Sequence, residues 1–160
     1  MRRNLLVMLS LALVAGAALP PMASGAFPPV GLRAGYTSWK EYSQMHYGVH
    51  VKVGDLFPNV QFTPNVEMGF GDGLTLVALN GDFSYRFTEM VSYPWSLYAG
   101  GCLALNYFDP DDTESNLQLG LSGLAGVGKS FANGDEIMIE LRIGILDSPG
   151  FKATLGYTFF

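Results

Sequence analysis

Charge is scarce in this chain. Asp, Glu, Lys and Arg together make up 14% of its 160 residues, against roughly 25% in an average soluble domain. Positive charge is scarcer still, with 9 Lys and Arg against 14 Asp and Glu. That balance excludes a basic nucleic-acid binder, because contacts to phosphate need positive side chains. A single cysteine, Cys102, excludes an intramolecular disulfide and a multi-cysteine zinc site. Beyond the N-terminal segment there is no apolar run of the roughly 18 residues that a membrane-spanning helix needs. Disorder is excluded too, since 49% of the residues are hydrophobic. What remains is a one-domain length with 20 glycines and 8 tyrosines. So apolar a composition raises the question of what surrounds it.

The N-terminus answers in part. Arg2 and Arg3 precede a nearly unbroken apolar run, Leu5 to Leu19, followed by the small residues Ala23, Ser24, Gly25 and Ala26. This order predicts a cleaved secretory signal peptide over residues 1–25, with the boundary after residue 25 or 26. Residues 26–160 then form the exported domain, and losing Arg2 and Arg3 makes it more acidic still.

From about Val30 onward the hydrophobic period is two. Val49, Val51 and Val53 alternate with His50 and Lys52; Ile137, Ile139, Leu141 and Ile143 alternate with Met138, Glu140 and Arg142. Such alternation is the spacing of strands with unlike faces. Eight runs are expected, at 29–39, 46–54, 59–70, 74–87, 95–107, 117–128, 135–146 and 151–159. Turn residues such as Gly71-Asp72-Gly73 and Asn133-Gly134-Asp135 separate them. Connections this short make neighbours antiparallel. The expected fold is all-β, an eight-stranded antiparallel up-and-down transmembrane β-barrel. Pro64 lies inside a strand, and the apolar parity shifts near Leu76-Val77, which predicts a bulge there.

Charge placement chooses between a water-soluble barrel and its inverted membrane counterpart. One face is free of charge through the strand centres, with Lys129 near a strand end where it can snorkel. The other face carries Arg33, Lys52, Glu67, Asp82, Arg86, Glu136, Glu140, Arg142 and Lys152. The lumen of an eight-stranded barrel is only wide enough for its side chains, so these nine groups are expected to form a salt-bridged plug. Aromatic residues are expected to sort to the two rims as membrane girdles: Tyr36, Trp39, Tyr47, Phe70, Tyr85, Phe87, Trp95 and Tyr107. Phe108 is assigned to a rim as well.

The chain closes Leu155-Gly156-Tyr157-Thr158-Phe159-Phe160. Tyr157, Phe159 and the terminal Phe160 resemble the insertion signal of bacterial outer-membrane proteins. The whole exported part resembles small bacterial outer-membrane barrels of the OmpA/OmpX type. That resemblance implies a monomer in the bacterial outer membrane, in contact with outer-membrane lipid and lipopolysaccharide, and handled by the barrel-assembly machinery during insertion. Barrels similar to lipid A deacylases or palmitoyltransferases use His with Ser, and no His-x-Ser motif occurs here.

The remaining candidates are bland. His46 and His50 share the inner face but lie four residues apart, about 13 Å along a strand, too far for one metal. Residues 109–114 form an acidic loop without EF-hand spacing. Cys102 faces inward as a small packing residue. Neither a metal nor a cofactor is implied, and no residue is assigned a catalytic role. The expected function is therefore a non-enzymatic structural or surface-interaction role in the outer membrane. A lipid A-modifying barrel enzyme, a small-solute channel and a soluble barrel for a lipophilic ligand are the alternatives.

Overall fold

The computed structural model describes residues 28–110 and 114–160. The expected signal segment lies outside the described residues. Nine strand segments follow one another: β1 (Val30–Trp39), β2 (Tyr42–Val51), β3 (Gly54–Phe57), β4 (Val60–Gly71), β5 (Leu74–Arg86), β6 (Trp95–Pro110), β7 (Asn116–Ser130), β8 (Glu136–Leu146) and β9 (Phe151–Phe159). Neighbours in sequence pair antiparallel. The first strand also pairs with the last, from Val30 opposite Phe159 to Ser38 opposite Phe151. The β2–β4 ladder completes the ring. The result is a closed eight-stranded up-and-down barrel, in which β3 is the continuation of β2 and pairs with β4 alone.

That division of one strand into β2 and β3 explains Pro64. The β2 ladder on β4 ends at Asn65 and the β3 ladder begins at Phe62, one residue out of register. Pro64 lacks an N–H and sits where β4 changes partner. The bulge expected near Leu76-Val77 is absent, because β4 and β5 keep one register from Val60 to Leu74. Parity shifts there for another reason: Leu74 and Leu76 point into the lumen, 5% and 3% exposed. Register irregularities occur instead between Asp55 and Phe57 and between Leu121 and Ser122.

The two barrel ends differ. One carries the turns 40–41 and 72–73, residues 147–150, the end of β6 and the start of β7. The turn between β1 and β2 is only Lys40-Glu41, because β2 starts at Tyr42 and not near 46. Asp72 and Gly73 both have positive φ, 49° and 70°, the backbone of a tight two-residue hairpin. The other end carries Val30, the chain's last residues, the 58–59 turn, residues 131–135 and the longest connection, residues 87–94. We call these the turn end and the chain end.

Candidate functional site

The lumen is built by alternation. Odd positions of β1 and β4 and even positions of β2, β5, β6, β7, β8 and β9 turn inward. At mid-height six charges form one cluster. Arg33 Nη1 donates to Glu67 at 3.1 Å and reaches Asp82 at 3.5 Å. Arg142 Nη2 contacts Asp82 at 2.8 Å and Glu140 at 2.6 Å, and Lys152 pairs closely with Glu67. Asn80 donates to Glu67 at 3.3 Å and to Asn65 at 2.7 Å, and Asn65 donates to Asp82 at 2.7 Å. With three cations and three anions the cluster is neutral, but Arg33 Nε, Arg142 Nε and Asp82 Oδ1 find no hydrogen-bond partner among the described residues. Towards the chain end, Lys52 pairs with Glu136 at 2.6 Å. The ninth group, Arg86, pairs at the rim with Asp55 at 2.5 Å, in an exposed contact. Asp55 was missed as its partner, because it lies beyond the register shift that separates β3 from β2.

Both histidines are structural members of this lumen. His46 lies between the Thr37 hydroxyl, 2.8 Å from Nδ1, and the Thr154 hydroxyl, 3.1 Å from Nε2. His50 Nε2 is 2.8 Å from the Thr158 hydroxyl. Cys102 is buried against Arg142, whose Nη1 lies 3.1 Å from the sulfur. No group of three metal-ligating side chains occurs among the described residues. Tyr98 lies across the lumen where Gly126 leaves room for its ring, and its hydroxyl donates to Glu140 at 3.2 Å.

Above the charge cluster, at the turn end, the lumen is closed by an apolar plug. Trp39, Leu74, Leu76 and Phe108 are all buried and packed together with Tyr42. The Trp39 and Phe108 rings meet edge to face, with centroids 4.2 Å apart. This corrects the assignment of Trp39 and Phe108 to a girdle. Trp39 has the parity of Arg33, and Phe108 that of Tyr98 and Cys102, so both must turn inward. The other proposed girdle residues lie elsewhere. Tyr36, Tyr47, Phe70, Tyr85 and Trp95 are exposed on the outer wall. Tyr107 is half-buried on that wall, and Phe87 is half-buried beyond β5, edge-on to Tyr85. Lys129 holds its ammonium 5.3 Å from the Trp95 ring centre.

Below the cluster, at the chain end, the lumen opens into a vestibule of about 570 Å³. Its floor includes Arg33, Asp82 and Glu140; its wall includes Lys52, Glu136 and Tyr98; its mouth is lined by Phe87, Thr88, residues 91–97 and Phe160. Beside the mouth, Asp135 holds the end of the chain. Its carboxylate accepts the Tyr157 hydroxyl at 2.8 Å and the Phe160 backbone N–H at 3.1 Å. Tyr157 stacks on Phe131 and meets Phe159 edge to face.

The Tyr157 hydroxyl, then the Phe160 N–H, hold the Asp135 carboxyl below its ordinary value of 3.8. A carboxylate depressed in the folded state contributes stability above its unfolded pKa and loses it as pH falls through the folded value. Asp135→Asn is therefore expected to flatten the acid limb of the unfolding profile below about pH 4, leaving the rest unchanged. The folded fraction measured across an acid titration checks this; an unaltered acid limb would remove Asp135 from the clasp.

Taken together, the features define a closed, internally charged β-barrel with an apolar outer wall, blocked at one end and open at the other. Among solved structures, the outer membrane enzyme PagL shares this fold, with a TM-score of 0.51 and 12% identity over 81% of this chain and 98% of that one. No protein-family model matches the sequence, and no curated protein does. The expectation of a barrel without catalysis is overturned by this likeness, because the structure sharing the fold is an enzyme. A plugged lumen is no argument against catalysis, since chemistry on lipid needs only groups that reach the membrane.

Proposed function

We propose that this chain is a monomeric, integral outer-membrane β-barrel of the small OmpA/OmpX architecture that modifies membrane lipid, in the class of lipid A-modifying barrel enzymes. The observation that carries the membrane reading is the inverted barrel. Aliphatic side chains such as Leu119, Ile139 and Leu155 are 68%, 55% and 53% exposed at mid-wall, while Arg33, Glu67, Asp82 and Arg142 are 2–3% exposed inside. In water this arrangement forgoes about 25 cal/mol for each Å² of apolar surface left outside; in lipid it forgoes little. Contact with outer-membrane lipid and lipopolysaccharide belongs to the same reading. So does insertion by the barrel-assembly machinery through Tyr157, Phe159 and Phe160.

The fold it shares with the outer membrane enzyme PagL supports a lipid-modifying role over a purely structural one. A small-solute channel fits poorly with the apolar plug above the charge cluster. A soluble carrier of a lipophilic ligand fits poorly with an interior of ion pairs, because such carriers need an apolar cavity. Both imidazoles are engaged inside the lumen, so neither serves a reaction on the lipid face. On the outer wall at the turn end, the Tyr36 and Ser43 hydroxyls lie 2.9 Å apart and exposed. Asp72 fixes the Ser43 backbone N–H at 2.8 Å. This pair can hold an ester or phosphate oxygen at head-group height.

Expression in a lipopolysaccharide-bearing bacterium tests the proposal. The chain is expected in the outer-membrane fraction as a heat-modifiable band, with a mass change in extracted lipid A that Ser43→Ala diminishes. Unchanged lipid masses with a correctly folded barrel would remove the lipid-modifying reading. Recovery of folded protein from the soluble periplasm would remove the membrane reading as well.

A further inference from the structure

We infer that the chain-end vestibule is a binding site for the zwitterionic head of a phospholipid, a phosphate and an ammonium joined as in phosphoethanolamine. The inference rests on the membrane part of the reading above and is independent of the lipid-modifying part.

The first observation is the shape of the cavity. It holds about 570 Å³, within the roughly 300–1,000 Å³ range of small-molecule sites. It enters from one rim and ends on the charge cluster, so whatever enters must stop there. The second observation is at the floor. The Arg33 and Asp82 side chains are 1% and 4% exposed and face each other at 3.5 Å. Arg33 Nε and Asp82 Oδ1 have no hydrogen-bond partner among the described residues. Buried polar atoms in native proteins are almost always satisfied. Arg86 Nε, also on the vestibule lining, is unpartnered too, so two donors and one acceptor call for a ligand that both accepts and donates. A phosphate oxygen answers Arg33 and an ammonium answers Asp82.

Charge balance narrows the class. Arg33, Lys52 and Arg86 line the vestibule with Asp82, Glu136 and Glu140. Equal numbers of each sign favour a ligand that is neutral as a whole but charged at both ends. The mouth has apolar residues on it: Phe87, Tyr93, Pro94 and Phe160 line it, and Trp95 and Leu97 border it from the outer wall. Beside it Met90 and Tyr93 are 72% and 77% exposed. A charged floor under an apolar mouth suits an amphiphile entering head first, its chain lying along the aromatic rim. A free solute with the same head would leave that rim unused.

Native mass spectrometry of the wild-type chain, folded in detergent, tests the inference with three probes. These are lysophosphatidylethanolamine, lysophosphatidylglycerol with the same chain but an anionic head, and O-phosphoethanolamine with the head alone. One saturable adduct is expected with the first, and at least tenfold weaker binding with the other two. Ser130→Phe narrows the mouth without touching an ion pair. It is expected to weaken the adduct tenfold or more in a barrel that keeps its heat-modifiable shift. Asp82→Asn is expected to abolish the preference for the zwitterionic head. Equal binding of both lysolipids by the wild type, or an adduct indifferent to Ser130→Phe, overturns the inference, and ordered water then satisfies the floor. O-Phosphoethanolamine binding as tightly as the lysolipid also overturns it, assigning the site to a soluble solute. Failure of the wild-type chain to give a heat-modifiable barrel would instead overturn the membrane reading.

Discussion

Ile139→Arg is expected to destabilise the barrel in a bilayer by about 2–4 kcal/mol, the cost of a cation on the lipid face near the midplane. Ile139 points outward from β8, 55% exposed. It sits between Val127 on β7 and Leu155 on β9, its cross-strand partners. Neither neighbour offers a charge. Were the barrel surrounded by water, the same substitution would fall within about 0.5 kcal/mol of neutral, as exposed substitutions do. Urea unfolding in liposomes, compared with a charge at a rim position such as Phe159→Arg, separates the cases. A small effect at both positions would sink the membrane reading; a large one at the centre and a small one at the rim is the result expected.

Glu67→Ala is expected to cost more, about 3–5 kcal/mol, the range for removing one partner of a buried ion pair. The penalty comes from what is left behind. Glu67 is 2% exposed and receives Arg33, Lys152 and Asn80. Its loss strands Lys152 and leaves Arg33 with Asp82 alone, at 3.5 Å. Adding Lys152→Met removes one stranded charge and replaces it with apolar volume, so the double variant is expected to regain part of the loss. The comparison of single and double variants in a denaturant series reads this directly. Additive losses would mean that the two residues do not act on each other.

Much of this was legible in the sequence because a barrel has only two faces. Period-two alternation assigned the strands, and parity assigned Arg33, Glu67, Asp82 and Arg142 to one side. The same rule, applied to Trp39 and Phe108, would have turned them inward as well. They were assigned by height along the strand, where aromatics are common at rims, and height cannot say which face a ring takes. The parity shift near Leu76-Val77 reads as a bulge in the sequence, whereas the structure turns Leu74 and Leu76 into the lumen. Other features are absent from any one strand. Arg86 finds Asp55 only because β3 slips by a residue, Tyr98 finds Gly126 across a ladder, and the vestibule exists only once the ring is closed. The enzymatic character of a protein sharing the fold was not legible at all: at 12% identity, barrel geometry is shared with little sequence in common.

The six-charge cluster has a consequence for how the barrel is put together. Its members come from β1, β4, β5, β8 and β9, and its contacts join residues as far apart as Glu67 and Lys152, 85 positions along the chain. Within the cluster β8 alone carries a balanced pair, Glu140 with Arg142; the like charges of β4 and β5 and those of β9 and β1 are neutralised only across the barrel. Until β9 docks on β1, Glu67 lacks Lys152 and the open sheet carries bare charges on the face that is to become the lumen. A slip of one residue at the seam would turn Arg33 or Lys152 to the outer wall, and a slip of two would set each opposite the wrong neighbour. The cluster thus proofreads strand register, accepting only one alignment of five strands. Because so many distant contacts must form together, closure is expected to be slow and all-or-none.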